Sequence, residues 1–379
     1  MKKHRIVLTG GGTGGHVYPA LAVYEKLVLE PTVEAILYIG ACGHLEEKLC
    51  EERGISFRGL NVAGMPRKPG LRLLYWPVQT LNAIVEARHI LGRFDPSVVL
   101  GTGGYASAAP LAAALHLGVP IAVHEPDAHP GLVNRLFSRS ASLVSLGMEG
   151  ALSRISSRHA KILVNGNPIR ASFLSGLSRA AALLDLGLSP ERKTLTVTGG
   201  SQGAKAINDV FGAIALHLLD SNPDLQIIHQ AGGLNLEEYR ASLPESLRAN
   251  ERYLLQDYFS DMAKVYAASD LVVSRAGAMT LAELTASGLP SIFIPYPYAA
   301  QNHQMHNARA LELMGGARVL PQDELSPEAL RGILEELLGD EQKLEKMAEA
   351  MKSLGKPNAS EDLSEEILRI SDLYLKRVF

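Results

Sequence analysis

Short apolar runs alternate with longer stretches of helical periodicity along the whole chain. Most of the short runs are followed by glycine or proline and then by apolar residues at helical spacing. This repeated strand–turn–helix order is typical of parallel, doubly wound sheets, so the pattern predicts an α/β fold. The predicted strands are Arg5–Thr9, Ala35–Ile39, Val98–Leu100, Ile121–Val123, Leu143–Leu146, Thr194–Thr198, Gln226–Gln230, Leu271–Ser274 and Ser291–Pro295.

The strand–turn–helix order restarts near the middle of the chain. Arg5–Gly12 reads as a strand that runs into three glycines, and Thr194–Ser201 repeats this design. We therefore predict two Rossmann-like domains joined by a hinge around Asn165–Pro168. The predicted bounds are 1–165 for an N-terminal domain, 166–355 for a C-terminal domain and 356–379 for a last helix.

The last helix carries its own start signal and an apolar face. Ser360, followed by two acidic residues, is typical of an N-cap and first turn. Leu363, Ile367, Ile370 and Tyr374 then recur at helical spacing. We expect this face to pack back on the N-terminal domain, with packing on the C-terminal domain as the alternative.

Length and composition fit a two-domain protein, since 379 residues correspond to about two domains of 150 residues. Hydrophobic residues make up 46% and charged residues 20%, which allows a large core and excludes a disordered chain. The net charge of −3 argues against a nucleic-acid-binding protein. Cys42 and Cys50 have no second pair, which fits neither a disulfide framework nor a zinc site and favours a reducing compartment.

No segment predicts a membrane crossing or an export signal. Only Ile6–Leu8 follow the basic N-terminus, whereas a signal peptide has roughly 7–15 apolar residues there. Residues 96–123 contain no Asp, Glu, Lys or Arg, but glycines and prolines interrupt them. A strand, a turn, a short helix and a second strand are therefore favoured over a spanning helix.

Glycine-rich turns stand where three of the predicted strands end: Gly10–Gly15, Gly101–Gly104 and Gly199–Gly203. Glycine lets the backbone approach an anion, and the following helix offers unpaired N–H groups at its N-terminus. A single turn of this kind is more often explained by tight packing of a strand against a helix. Three turns, spread over both predicted domains, favour a phosphate-bearing ligand in a cleft at the carboxyl ends of the strands.

The first glycine turn matches no complete nucleotide-binding motif. Gly10, Gly12 and Gly15 satisfy G-x-G-x-x-G, but the second predicted strand ends in Tyr38–Ala41, without the acid that would hold a ribose. His16 stands where a Walker A loop has lysine. A nicotinamide-dependent enzyme is therefore a weakened alternative.

Two polar segments in the second half are further candidates for ligand contacts. Glu283 lies three residues after Thr280, at the spacing of a capping box, but it is also suited to accept both hydroxyls of a ribose. Residues 295–307 combine prolines with many amide and imidazole side chains. That density is high for a solvated loop, which is the alternative.

Several motifs in order carry a resemblance to a known family: Gly11–Pro19, Gly103–Ser107, His124-Glu125, Gly166–Arg170, Gly199–Ala204 and Arg275–Glu283. With this set the chain resembles, from about residue 5 to about residue 320, the MurG family of N-acetylglucosaminyltransferases of peptidoglycan synthesis. The resemblance implies the GT-B glycosyltransferase fold, in which two Rossmann-like domains with parallel sheets face each other across a cleft.

The resemblance further implies that UDP-N-acetylglucosamine is the donor and that the C-terminal domain holds most of it. Glu283 would take the ribose hydroxyls, and Phe259 would present its backbone to the uracil. Thr13, Gly14 and Gly15 would reach the donor from the N-terminal side. The other implied contacts are Arg170, Ser201, Gln202, Gly203, Arg275, Ala278, Met279, Thr280, Leu281, Ala282, His303 and Gln304.

The implied reaction is an inverting transfer that needs a base and a stabilised leaving group. Backbone N–H groups near Ser201, with Arg170 and Arg275, would stabilise the charge that grows on the diphosphate. The sequence has no Asp-x-Asp pair, and we predict no metal and no cofactor. His16 would either act as the base or only orient the diphosphate, and Glu125 is the second implied catalytic residue.

The implied acceptor is a lipid-linked muramyl pentapeptide, contacted by Tyr105, Asp127 and Asn134. The chain departs from the family here. After Glu125 the usual Gln-Asn is replaced by Pro126 and Asp127, so a charge stands in place of an amide.

A basic and aromatic region fits work on a lipid-linked acceptor. Residues 53–93 hold seven basic residues and one acid, Glu86, in a chain whose net charge is −3. Leu71–Pro77 adds apolar residues and the only tryptophan. We predict that the Arg67–Arg93 region binds an anionic surface at the cytoplasmic face of the inner membrane, with a solvated helix face as the alternative. The basic residues are Arg53, Arg58, Arg67, Lys68, Arg72, Arg88 and Arg93.

Two other kinds of function remain as alternatives. One is another GT-B enzyme that uses a UDP-sugar, such as a glycolipid synthase or a sugar-nucleotide epimerase. The other is a nucleotide-binding module without catalytic activity. It is less favoured because His16 and the arginines are predicted to converge on one cleft.

Overall fold

The chain forms two compact units, each built around its own parallel sheet. One unit comprises Met1–Ala171 with Lys356–Phe379, and the other comprises Ser172–Gly355. The computed structural model describes the backbone alone for residues 71–74. In full it describes residues 3–65, 75–157, 159–200, 202–233, 236–299 and 302–378.

The boundary between the units follows Ala171, whereas the sequence predicts it after residue 165. The intervening segment is bonded into the first unit. The side-chain amide of Asn165 donates to the carbonyl of Ala359 at 3.0 Å, and the N–H of Ala171 donates to Glu25 at 2.9 Å. Arg170 therefore lies in the first unit.

Seven parallel strands form the sheet of the first unit: β1 His4–Thr9, β2 Val33–Ala41, β3 Phe57–Leu60, β4 Val98–Gly101, β5 Ile121–Glu125, β6 Leu143–Leu146 and β7 Lys161–Val164. Their order across the sheet is β3-β2-β1-β4-β5-β6-β7. Alternate residues of β1 enter different apolar clusters, since Ile6 and Leu8 face one and Val7 faces the other. The helices of this part of the chain are α1 Gly14–Leu27, α2 Leu45–Glu52, α3 Leu71–Phe94, α4 Ala108–His116 and α5 Leu132–Phe137.

Six parallel strands form the sheet of the second unit: β8 Lys193–Thr198, β9 Leu225–Gln230, β10 Tyr253–Gln256, β11 Leu271–Ser274, β12 Ser291–Phe293 and β13 Ala317–Val319. Their order is β10-β9-β8-β11-β12-β13, which is the Rossmann order. The helices are α6 Arg179–Asp185, α7 Lys205–Ser221, α8 Leu236–Ser242, α9 Glu245–Arg248, α10 Met262–Ala267, α11 Ala278–Ser287, α12 His303–Leu313, α13 Pro327–Leu338 and α14 Glu341–Leu354. Two Rossmann-like parallel sheets, as predicted, are confirmed.

The last helix, α15 Ala359–Val378, belongs to the first unit. Its residues Leu363, Ile367 and Ile370 are buried in the cluster that contains Ile6 and Leu8. Polar contacts add to this packing, since Ser371 hydrogen-bonds His4 and Ser97 at 2.6 Å each. The apolar periodicity of this helix is thus used inside the first unit.

Four strands escape the sequence pattern, and they are the edge strands of the two sheets: β3, β7, β10 and β13. Strands β3, β7 and β10 are partly exposed, and β13 has only three residues. A central parallel strand is buried on both faces and reads as a continuous apolar run. An edge strand lacks one neighbour, so its sequence carries a weaker signal.

Replacing Leu363 by alanine is expected to lower the unfolding free energy by about 3 kcal/mol, because it leaves a cavity in a fully buried cluster. Leu373→Ala on the same helix is the control, since Leu373 is 51% exposed. We expect it to cost less than about 0.5 kcal/mol. Denaturant unfolding followed by circular dichroism measures both variants, and equal destabilisation contradicts the packing of α15.

Candidate active site

In each sheet the chain reverses its direction of winding between the first strand and the fourth. In the first unit these strands are β1 and β4, and in the second they are β8 and β11. Ligands of doubly wound sheets bind beside the carboxyl ends at such a switch point. The predicted glycine turns Gly10–Gly15, Gly101–Gly104 and Gly199–Gly203 and the segment Arg275–Glu283 all lie there.

The helices after the switch-point strands of the second unit begin without a side-chain cap. Helix α7 starts after Ala204 and α11 after Gly277, and neither of these N-cap residues makes a side-chain cap hydrogen bond. A helix start of this kind is suited to bind an anion through its first backbone N–H groups. Helices α9 and α12 also begin without one, whereas four other helices of this unit are capped by the side chains of Ser178, Asp261, Ser326 and Asp340.

His16 lies in the first turn of α1, which begins after Thr13 with Gly14 and Gly15. Its Nδ1 lies 3.1 Å from the carbonyl oxygen of Thr102. A carbonyl oxygen only accepts, so Nδ1 carries the hydrogen and the neutral ring has its lone pair on Nε2.

Burial lowers the pKa of His16 below its ordinary 6.5. The negative charge of Asp127, the hydrogen bond to Thr102 and the charge of Glu46 offset part of this shift. At neutral pH the imidazole is therefore neutral, with Nε2 able to accept a proton.

The glycines of the Gly101–Gly104 turn are required by close packing. A Cβ on Gly104, where φ is +76°, would lie 2.0 Å from the carbonyl oxygen of Gly11. A Cβ on Gly103 would lie 2.9 Å from Nδ1 of His16. At this turn, tight packing explains the glycines, and the packing in turn places His16.

Glu125 stands at the end of β5 and is 1% exposed. Its carboxylate accepts hydrogen bonds from the N–H groups of Asp127 and Gly131, at 2.9 and 3.0 Å, and from the Asn134 side chain at 2.8 Å. Burial raises the pKa of Glu125 to about 7, although these bonds favour the ionised form. Glu125 thus shapes the loop that carries Asp127, and it brings Asn134 to the same place.

Glu46 escapes the sequence analysis. It lies in the first turn of α2 and is fully buried. One carboxylate oxygen accepts from the N–H of Ala41 at 3.1 Å, and the other lies 3.5 Å from the nitrogen of Gly12. An acid a few residues after the second strand is the only sequence signal, because the contact itself depends on the pairing of β2 with β1.

Tyr105 also borders the first glycine turn. A Cβ on Gly12, where φ is +87°, would lie 2.9 Å from the Tyr105 ring. The Tyr105 hydroxyl is 3.4 Å from Nε2 of His44. This predicted acceptor contact therefore lies against the loop that leads to His16.

In the second unit, Gly200 and Gly203 have positive φ values of +88° and +76°. No described atom lies within 4 Å of a Cβ on Gly200, whereas a Cβ on Gly203 would lie 2.0 Å from the carbonyl oxygen of Ala231. Gln202 is exposed. Ser201, a predicted contact, lies outside the described residues.

The start of α11 removes the capping-box interpretation of Glu283. The helix begins at Ala278 with Gly277 as its N-cap, so Thr280 is already inside the helix. Glu283 lies in the second turn and is 8% exposed. Predicted contacts Ala278, Met279, Thr280, Leu281, Ala282 and Glu283 thus form the first two turns of one helix at the switch point.

Arg275 is engaged within the second unit. Its guanidinium donates to the carbonyls of Ile294 and Pro295 at 2.9 and 3.2 Å, and to Gln322 at 2.6 Å. Burial lowers its pKa. Arg170, in the first unit, stacks over the Tyr18 ring at 4.8 Å. The two arginines predicted to act on the diphosphate are thus built into different units.

His303 and Gln304 open α12, and Gln304 accepts a hydrogen bond from the N–H of Tyr296 at 2.9 Å. Asn302 before them has a left-handed backbone, with φ of +57°. Phe259 donates its N–H to the side chain of Gln230 at 2.9 Å.

Two domain families match the chain. The N-terminal domain of glycosyltransferase family 28 matches residues 6–145, and the C-terminal domain of the same family matches residues 194–363. These matches span more than half of the sequence, so the chain belongs to glycosyltransferase family 28.

Relatives that match over nearly their whole length show which member group of glycosyltransferase family 28 the chain belongs to. A Halothermothrix orenii protein named UDP-N-acetylglucosamine--N-acetylmuramyl-(pentapeptide) pyrophosphoryl-undecaprenol N-acetylglucosamine transferase is 42% identical over 95% of this chain and 97% of its own. The crystal structure of Acinetobacter baumannii MurG is similar with a TM-score of 0.73 and 28% identity, covering 97% of this chain and 99% of that one. The chain belongs to the MurG family, and the predicted family, GT-B fold and enzyme class are confirmed.

The fold is shared more widely than the family. The UDP-GlcNAc 2-epimerase of Neisseria meningitidis, solved with UDP-GlcNAc, has a TM-score of 0.68 at 16% identity, covering 97% of this chain and all of that one. At this identity the likeness concerns the fold alone.

Replacing Gly104 by alanine is expected to destabilise the first unit by at least about 2 kcal/mol, because strain at positive φ is joined by a clash with Gly11. Gly118→Ala is the control, since Gly118 has φ of +71° and nothing within 4 Å of its Cβ. We expect about 1 kcal/mol for this variant. Unfolding free energies from urea titrations test the difference, and equal losses argue against close packing of the two turns.

Proposed function

We propose that this protein is an inverting hexosyltransferase. It moves N-acetylglucosamine from UDP-N-acetylglucosamine to the 4-hydroxyl of undecaprenyl-pyrophosphoryl-N-acetylmuramyl pentapeptide, in peptidoglycan synthesis. The observation that carries the proposal is 42% identity, over 95% of the chain, to a relative with this name.

The donor is bound by groups at the carboxyl edge of the second sheet. The uncapped start of α7, with the loop that contains Gly200 and Ser201, binds the diphosphate. Glu283 accepts the ribose hydroxyls. Because the N–H of Phe259 already donates to Gln230, its carbonyl oxygen is the backbone group that accepts from the uracil. His303 and Gln304 contact the sugar.

His16 is the base of the transfer reaction. The acceptor oxygen bonds to the anomeric carbon of the sugar as the bond from that carbon to the diphosphate breaks, and the hydroxyl proton passes to Nε2 of His16. Donating a hydrogen bond to the diphosphate would require a hydrogen on Nε2, which the neutral ring bonded to Thr102 lacks. The charges of Asp127 and Glu46 favour the imidazolium that forms.

Transfer of labelled sugar to a short-chain lipid-linked muramyl-peptide acceptor tests this function. We expect activity with UDP-N-acetylglucosamine and at least about 100-fold less after His16→Ala, because a general base contributes that much. The rate of the wild-type enzyme should fall on acidification with a midpoint below pH 6.5, since burial lowers the pKa of His16 and protonation removes the base.

Asp127→Asn is the matched variant, because it removes a charge that raises the pKa of His16 and restores the amide usual in the family. It should move the midpoint of the fall in rate to lower pH and leave the transfer rate at alkaline pH unchanged. UDP-glucose and UDP-galactose are the donor controls. Absence of transfer and of UDP-N-acetylglucosamine binding overturns the proposed function.

We further infer that the first unit binds an anionic membrane surface at the cytoplasmic face. Helix α3 exposes an apolar stripe, with Tyr75 69%, Val78 58% and Leu81 61% exposed. Exposed Arg88 and Arg93 lie further along the same helix. An apolar strip beside basic residues is suited to anionic headgroups.

Trp76, the tryptophan of this region, is hydrogen-bonded within the protein. The indole N–H of Trp76 donates to the carbonyl of Ala63 at 3.1 Å, so Tyr75 and Val78 are the more exposed residues. Arg67 and Lys68 lie outside the described residues, as does the side chain of Arg72. Among the described helices, none is long and apolar enough to cross a bilayer.

Co-sedimentation with phosphatidylglycerol vesicles tests the surface. The double variant Arg88→Glu/Arg93→Glu should bind at least about tenfold more weakly, since each base near the surface contributes about 1 kcal/mol. Arg240→Glu/Arg248→Glu reverses two exposed charges of the second unit and should bind as the wild type does. If both double variants lose vesicle binding equally, the effect is one of net charge. If Arg88→Glu/Arg93→Glu binds vesicles as the wild type does, this surface is excluded.

A further inference from the structure

The side chain of Gln230 joins three segments at the carboxyl edge of the second sheet. Gln230 is the last residue of β9 and is 3% exposed. Its amide nitrogen donates to the Thr198 hydroxyl and to the carbonyl of Gly200, both at 3.1 Å, and its amide oxygen accepts from the N–H of Phe259 at 2.9 Å. Both amide hydrogens are thus used.

These bonds reach the two segments proposed to bind opposite ends of the nucleotide. Gly200 belongs to the loop between β8 and α7, and this loop is the diphosphate segment. Phe259 belongs to the segment that follows β10, which is the uracil segment. The two segments come from strands on opposite sides of β9, and Gln230 lies between them. One side-chain amide is therefore bonded to both the diphosphate segment and the uracil segment.

Two other buried side chains, His229 and Asn208, are bonded next to the same loop. The Nε2–H of His229 donates to the side-chain oxygen of Asn208 at 3.1 Å, and the Asn208 side-chain nitrogen donates to the carbonyl of Ala231 at 2.8 Å. That carbonyl is the group against which Gly203 packs. The Gly203 end of the loop thus packs against a carbonyl that Asn208 holds, and the Gly200 end is bonded to Gln230 and, through its N–H, to the Thr198 hydroxyl at 3.1 Å. Of these groups, Gln230 is the one that also bonds Phe259.

We propose that Gln230 is a positioning residue for the sugar nucleotide. It holds the diphosphate segment and the uracil segment at the separation that one bound UDP requires. This inference rests on the function proposed above. Two of the three bonds are buried and the bond to Gly200 is partly buried, so water competes little for them and the site is ordered before the donor arrives.

The strand supplies a matched control at its other end. Gln226 is fully buried, and its amide also makes three bonds, to the N–H and carbonyl of Ser189 and to the hydroxyl of Thr194, at 3.0, 2.8 and 3.0 Å. None of these partners belongs to the two nucleotide segments. Gln226→Leu therefore removes as many side-chain hydrogen bonds from β9 as Gln230→Leu does, three in each case.

The experiment measures UDP affinity by calorimetry, KM for UDP-N-acetylglucosamine, and the melting temperature for both variants. Both should melt at similarly lowered temperatures. Only Gln230→Leu should weaken UDP and raise the donor KM, by about tenfold or more, with the acceptor KM unchanged. Gln230→Asn keeps the amide but is one methylene too short to reach all three partners. It should act in the same direction, and it replaces the leucine variant if that variant does not fold.

Lowered stability with unchanged UDP affinity and donor KM in both Gln230 variants reduces Gln230 to a structural residue and overturns the inference. Equal weakening of UDP by Gln226→Leu does the same. Failure of the proposed function has a different signature. In that case the wild type itself shows neither transfer nor binding of UDP-N-acetylglucosamine, whereas failure of the Gln230 inference leaves wild-type transfer and binding intact.

Discussion

The start of a helix at the carboxyl edge of a parallel sheet is the feature on which the candidate site of the second unit depends. All strands of a parallel sheet end at one edge, and the helices after the switch-point strands begin there. In the second unit, α7 and α11 start without a side-chain cap. The first N–H groups of a helix favour an anion, so the expectation of a phosphate-bearing ligand rests on the backbone before any side chain is considered.

Buried polar side chains hold the loops at these edges. Glu46 in the first unit bonds Ala41 and approaches Gly12, and Gln230 in the second bonds Gly200 and Phe259. A glycine loop has little stiffness of its own, because glycine restricts the backbone least. Support from a buried, bonded side chain gives such a loop a defined position without bringing a bulky group to the ligand.

The charge state of His16 depends on its burial, on two nearby carboxylates and on one hydrogen bond. Burial disfavours the imidazolium, and Asp127 and Glu46 partly restore it. The carbonyl of Thr102 selects the tautomer whose lone pair is on Nε2. In its proposed role as the base, His16 must be neutral before the reaction and charged after it, and this balance of burial and nearby charge suits both states.

By itself the sequence determined the central strands, the glycine turns and the family. It also showed, by repeating the strand–turn–helix order near its middle, that there are two units. Central strands are buried on both faces, and glycine turns are local, so both are written in consecutive residues. Tertiary structure alone decided the rest. The edge strands depend on a single neighbour, Glu46 reaches the first glycine turn only because β2 pairs with β1, and Arg170 joins the first unit through contacts of residues 165–171. Contacts between residues far apart in the chain depend on strand order, which no periodicity along the chain encodes.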